Sequence, residues 1–118
     1  MELNIPTTDR DKYLILVTFL SSIKPFSNLR KKELEVYADL LWYWNEYSSL
    51  SVDKRNRLIF DYSTRMEIAQ KHETSISNIY NVISSLKKKG FVTDKEMVEK
   101  YTNFFKDDKY LKINLIIQ

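Results

Sequence analysis

The chain has 118 residues, 43% of them hydrophobic and 14% aromatic, which is enough for the core of one domain and too short for two. One glycine and two prolines argue against a sandwich or barrel with many tight turns, and the lack of cysteine together with a single histidine excludes disulfides and ordinary zinc sites. The net charge of +3 fits a nucleic-acid partner without requiring one.

Residues 13–23 carry the first apolar run, whose pattern fits two structures. The positions that match one face of an amphipathic helix are Tyr13, Leu16, Val17, Leu20 and Ile23. Its β-branched residues would also suit a buried strand, but we favour a helix that Pro25 ends. The run is about half a membrane span, and no signal-peptide cleavage site follows it. We therefore expect a soluble, cytoplasmic protein without a membrane partner.

Residues 29–47 show a clear helical pattern. Its apolar face is made by Leu34, Tyr37, Leu41 and Trp44. The end of this predicted helix is unusually aromatic, with Trp42, Tyr43 and Tyr47. These side chains are either a bulky corner of the core, a surface that contacts another protein, or a surface on which bases stack.

Residues 57–62 alternate between polar and apolar side chains from Leu58 to Tyr62, which predicts a short half-buried strand. Thr64 and Glu67 have the spacing of a capping box. We therefore expect the next helix to begin at this pair.

The remaining boundaries follow from the same signals. Ser75 is the expected N-cap of the following helix. Thr93 and Glu96 repeat the capping-box spacing and predict a short helix over residues 95–105. A final strand is predicted from the alternation of Leu111, Ile113, Leu115 and Ile117.

Residues 63–92 contain two predicted helices that are joined by a tight turn. Ala69 is the small residue expected where the second helix crosses the first. The second helix has an apolar stripe at Ile76, Ile79, Ile83 and Leu86. Its outward positions are Ser77, Asn78, Asn81, Ser84 and Ser85. Three lysines at 87–89 then precede Gly90, which lies where a left-handed helix C-cap is expected.

This order of elements resembles the winged helix-turn-helix family over about residues 29–118. The resemblance implies a mainly α fold with a small β component, in a single domain. Residues 1–28 would form an N-terminal extension whose helix packs on the winged-helix-like domain of residues 29–118. Two departures lie in the turn, where Glu73 replaces the usual glycine and His72 replaces an apolar residue. We interpret His72 as a packed turn residue.

The same resemblance implies a reader of the DNA major groove. Ser77, Asn78 and Asn81 would face base edges, and an Asn can pair bidentately with adenine. The residues that would face phosphate are Arg65, Lys87 and Lys88. The exposed face of this helix carries no Arg or Lys before Lys87, so its first turns offer only neutral donors.

Enzyme chemistry finds no support in the sequence. The only histidine lies in the predicted turn, and a single glycine excludes a phosphate-binding loop. No carboxylate pair shows the apolar shielding that acid–base catalysis needs. We expect no catalytic residue, cofactor, metal ion or small-molecule substrate.

Two functions are then open. The first is a small DNA-binding protein, expected to act as a dimer because one reading helix buries little surface. The alternative rests on a loose compositional resemblance to small proteins of tailed bacteriophages. It implies a virion structural protein, a ring subunit of the head-to-tail connector or tail barrel. Trp42, Tyr43 and Tyr47 would then contact other subunits. A phage protein would act in the host cell, or in the virion in the structural case.

Overall fold

The computed structural model describes residues 2–6, 12–102 and 110–114, and the described chain is mainly helical. Its elements in chain order are β1 (Glu2–Pro6), α1 (Lys12–Leu20), a 3-10 turn (Phe26–Asn28), α2 (Lys31–Glu46), α3 (Val52–Ile59), α4 (Tyr62–Lys71), α5 (Ile76–Lys88), α6 (Glu99–Thr102) and β2 (Tyr110–Asn114). The two strands pair antiparallel, with Leu3 opposite Ile113. None of the helices in these ranges has the length and apolar content needed to cross a membrane.

Helix α2 is the central element of the fold. It packs against α1, α3 and α5, and α5 packs in turn against α4. Because three neighbours surround it, α2 buries residues on most of its circumference, including Val36, Tyr37, Leu40 and Leu41. Burial raises the pKa of the Tyr37 phenol well above its ordinary value. The predicted helices at 13–23 and 29–47 are confirmed as α1 and α2.

An aromatic cluster fastens the segment after α5 to the core. The ring of Phe91 lies 4.7 Å from that of Tyr101, 5.2 Å from Tyr37 and 5.5 Å from Phe26, measured between centroids. Tilted and offset ring pairs of this kind each contribute about 0.5–1.5 kcal/mol beyond their buried area. The cluster joins the end of α5 to α2, α6 and the 3-10 turn.

The strand predicted at 57–62 is wrong. Helix α3 ends at Ile59 and α4 begins at Tyr62, so most of this segment is helical. Ile59 and Phe60 are both buried whereas Leu58 and Tyr62 are exposed, a pattern that a half-buried strand does not produce. Three alternating residues were too few to distinguish the two structures.

Two predicted caps have different outcomes. The expected helix start at Thr64 is wrong, because α4 begins after Asp61, whose carboxylate accepts a hydrogen bond from the Tyr62 N–H at 2.8 Å. Thr64 instead donates from its hydroxyl to the carbonyl oxygen of Leu58 at 2.6 Å. The predicted cap at Ser75 is confirmed, since its Oγ accepts from the backbone N–H of Asn78.

The segment after Gly90 also differs from the prediction. Residues 92–97 form a tight hairpin turn, with a bridge between Val92 and Met97 and a hydrogen bond from the Thr93 N–H to the Glu96 carbonyl. The capping box at this pair is therefore wrong, as is the helix over residues 95–98, because only Glu99–Thr102 is helical. Residues 103–105 lie outside the described chain. Of the predicted last strand, positions 111 and 113 lie in β2, and 115 and 117 are not described.

Helices α4 and α5 end in the same hydrogen-bond pattern. After α4, Thr74 N–H donates to the Ala69 carbonyl and Glu73 N–H to that of Gln70. After α5, the N–H groups of residues 91 and 90 donate to the carbonyls of residues 86 and 87. Both are Schellman caps, which place one residue in the left-handed region. Gly90 has φ 86° there, whereas Glu73 adopts φ 52° despite its Cβ.

Replacing the two capping residues should move stability in opposite directions. Glu73→Gly removes left-handed strain and is expected to raise the free energy of unfolding by about 0.5–1 kcal/mol. Gly90→Ala introduces that strain and should lower it by about 1 kcal/mol, since a Cβ at Gly90 would meet no atom within 4 Å and steric clash adds nothing. Urea unfolding measures both. Glu73→Ala is the control for lost charge, and a Glu73→Gly variant no more stable than it would contradict the strain.

The start of α2 is tied to the end of α5 by an ion pair. Lys89 Nζ donates to Glu33 Oε1 at 2.6 Å and to the Asn28 carbonyl at 2.8 Å. Glu33 Oε1 also accepts the Arg30 N–H at 2.7 Å. Burial alone would raise the pKa of Glu33, but the bonds from Arg30, Lys89 and Ser85 outweigh it, so this pKa lies below the ordinary value.

This shift predicts an acid-sensitive contribution to stability. A lowered pKa in the folded state means that the Glu33 carboxylate stabilises the fold above its ordinary value of 4.5. The contribution is lost as pH falls through the lowered folded pKa. Urea unfolding of parent and Glu33→Gln should therefore differ near neutral pH and converge in acid. A difference that is constant across this range would contradict the assignment.

Candidate nucleic-acid interface

Helices α4 and α5 pack against each other and are joined by residues 72–75. Ile68 and Ala69 of α4 are buried at this contact level of the core, and Ala69 is the small residue that the sequence placed at the crossing. On α5, Ile79, Ile83 and Leu86 are buried, and Ile76 is partly buried. The apolar stripe predicted for α5 therefore faces inward.

A buried carboxylate on α2 fixes the end of α4. Asp39 is 2% exposed, and it contacts Lys71 Nζ through Oδ1 and His72 Nε2 through Oδ2, the latter at 2.6 Å. The other ring nitrogen of His72 lies 3.8 Å from Glu35 Oε2. A buried carboxylate needs such partners, because an unpaired charge in the interior is costly. His72 is thus a packed turn residue, as the sequence indicated.

The outer face of α5 is polar along its whole length. Its central ridge consists of Ser77, Asn81, Ser84 and Lys88, spaced four, three and four residues apart and all exposed. Asn78 lies on one edge of this ridge, and Tyr80 and Lys87 lie on the other. The structure thus brings Ser77, Asn78 and Asn81, the three residues predicted to face bases, to a single exposed surface.

The two asparagines on this face differ in how free their side chains are. Asn78 Nδ2 donates to the Thr74 hydroxyl at 2.7 Å, so bidentate pairing with a base would require that bond to break. Within the described ranges, the Asn81 side chain has no hydrogen-bond partner. Asn81 is therefore the better placed of the two to read a base edge.

The three cations predicted to face phosphate have three different environments. Lys87 forms an ion pair with Asp94 of the hairpin turn. Lys88 is exposed and makes no ion pair within the described part of the chain. Arg65 lies against Tyr80, with its guanidinium carbon 4.4 Å from the ring centroid and Nη1 donating to the tyrosine hydroxyl at 3.0 Å.

Tyr80 and Asp39 are the residues that the sequence argument missed. Tyr80 is 43% exposed, although it is aromatic and lies in the middle of α5. Its position off the apolar stripe was the signal, since a large ring on a polar face calls for a partner. For Asp39, the signal was a carboxylate at the centre of the most apolar part of α2.

The aromatic end of α2 is mostly turned toward the protein. Tyr43 is 3% exposed and donates its hydroxyl to Glu67 Oε2 at 2.6 Å. Tyr47 stacks on it at 6.2 Å, and Trp42 meets it edge-on at 5.0 Å. Trp42 and Tyr47 are partly buried, so of the three predicted protein-contact residues these two retain accessible surface.

Comparisons with known proteins do not identify a relative of this chain, since no protein-family model, no curated protein and no solved structure matches it. In the described ranges, no group of three or more metal-ligating side chains is placed to hold a metal ion. The function has to be inferred from the surface of α5 and its surroundings.

The Asp39 contacts predict a large cost for a small substitution. Asp39→Asn keeps the shape but removes the charge that pairs with Lys71 and His72, and we expect the free energy of unfolding to fall by about 2–4 kcal/mol. Urea unfolding at neutral pH measures the loss. Glu46→Gln, an exposed site on the same helix, is the control and should change stability by less than about 0.5 kcal/mol. Equal losses in the two variants would show that Asp39 has no special role.

Proposed function

We propose that this chain is a non-enzymatic binding module of the winged helix-turn-helix type, in which residues 29–118 form the domain and 1–28 an N-terminal extension. Its ligand is duplex DNA, bound by the exposed face of α5. The observation that carries this proposal is the polar ridge on α5, because a helix buried on one side presents Ser77, Asn81, Ser84 and Lys88 as one uninterrupted strip. A strip of this width suits the major groove, which admits one helix.

The chemistry of the strip divides into base and phosphate contacts. Asn81 supplies the amide that pairs bidentately with adenine, with Ser77 and Asn78 beside it. Arg65, Lys87 and Lys88 supply positive charge at the margins of the strip and at its end, where they would meet phosphates. Because neutral donors occupy the first turns, phosphate contacts would provide most of the affinity. We propose that two copies bind together.

The hairpin turn at residues 92–97 takes the place of a wing. It is short, and its Asp94 forms an ion pair with Lys87. This acid competes with a DNA phosphate for the same ammonium group. The hairpin therefore lowers the affinity that the three lysines would otherwise give.

A second candidate function rests on a different surface. A cavity of about 540 Å³ lies between α1 and α2, with Leu14, Leu29 and Leu34 among its lining residues. Ile15, on the outer side of α1, is 52% exposed. An apolar recess beside an exposed aliphatic residue suits contact with another protein, as in a ring subunit of a tailed-phage connector.

Duplex binding by fluorescence anisotropy, at low and physiological salt, tests the leading proposal. We expect salt-dependent binding that weakens roughly tenfold or more in the Lys87→Ala/Lys88→Ala double variant. Two lost phosphate contacts, at about 0.9 each, should reduce the slope of log affinity against log salt by about 1.8. The matched control is Lys31→Ala/Lys32→Ala, which removes the same charge from exposed sites on α2.

Two further variants distinguish the parts of the interface. Asp94→Asn should tighten binding by freeing Lys87, and Asn81→Ala should reduce discrimination between sequences while leaving the salt slope unchanged. No duplex binding by the parent at low salt would overturn the DNA proposal. A ring-sized oligomer in light scattering would then support the assembly function.

A further inference from the structure

Arg65 and Tyr80 form a contact that bridges α4 and α5. The guanidinium stacks over the phenol ring at 4.4 Å, and Nη1 donates to the hydroxyl at 3.0 Å. The two residues are fifteen positions apart in the sequence. Tyr80 thereby holds Arg65 by two interactions at the edge of the polar ridge on α5.

The pairing of Arg65 differs from that of most cations around it. Lys71, Lys87 and Lys89 each bind a carboxylate, which neutralises their charge. Arg65 forms no ion pair within the described ranges and is held by an uncharged partner. Its positive charge is therefore retained at a fixed place.

The geometry leaves donors of Arg65 uncommitted. Nη1 is used by Tyr80, and Nε is buried without a hydrogen-bond partner among the described residues. The protein thus does not satisfy the guanidinium internally. A guanidinium has five N–H donors in a rigid fork that matches two oxygens of a phosphate, so the remaining Nη2 end can meet an anion.

We propose that Tyr80 is a positioning residue, which fixes the Arg65 guanidinium at the junction of α4 and α5 to bind a phosphodiester of the DNA backbone. The inference rests on the proposed DNA function and adds a residue to it. A free arginine side chain would lose rotamer freedom when it bound phosphate. Stacking on Tyr80 orders the side chain before the DNA arrives, so less affinity is lost on binding.

A double-mutant cycle on short mixed-sequence duplexes tests the role of Tyr80. Arg65→Ala should weaken binding roughly tenfold and reduce the salt slope by about 0.9 per protomer. Tyr80→Leu, which removes both ring and hydroxyl, should weaken binding severalfold in the parent and have no effect in the Arg65→Ala background. Tyr80→Phe keeps the stacking and should restore most of the loss. Circular dichroism melts verify that each variant is folded.

The outcomes separate this inference from the proposed function. If the parent binds duplex but Tyr80→Leu weakens binding equally in both backgrounds, Tyr80 acts independently of Arg65 and the inference is wrong. An unchanged salt slope in Arg65→Ala would likewise show that Arg65 meets no phosphate. If the parent itself does not bind at low salt, the proposed function and this inference are both overturned.

Discussion

The contact of Asp39 with the end of α4 is the constraint on which the functional surface depends. A buried carboxylate has to be paired, and both of its partners, Lys71 and His72, are the last residues before the turn to α5. The turn therefore has one position relative to α2. Ser75 then caps α5 directly after it, so the direction of the polar ridge is set by a charge on a different helix.

The three lysines at the end of α5 show that a basic run in a sequence is not a basic patch in a structure. Lys89 is drawn inward to Glu33, Lys87 is paired with Asp94, and Lys88 alone makes no ion pair within the described part of the chain. Arg65, one helix away, keeps its charge through an aromatic partner. The free positive charge at this surface thus comes from two helices.

The sequence predicted what depends on local pattern. Helices α1, α2 and α5 have strong periodicity, and the cap at Ser75 and the stop at Gly90 are local signals. The segment 57–62 was wrong, because three alternating residues fit a helix end as well as a strand. The contacts of Asp39 with His72 and of Arg65 with Tyr80 join residues that are 33 and 15 positions apart, and no local pattern encodes them.

Helix α5 is held at both ends, by the Asp39-bound turn before it and by the aromatic cluster around Phe91 after it. A helix fixed in this way cannot shift to follow an imperfect groove. For a DNA reader of this build, the duplex would have to adapt its shape to the protein. Selectivity would then arise in part from how easily a given sequence bends or opens its groove, including at base pairs that the protein never touches.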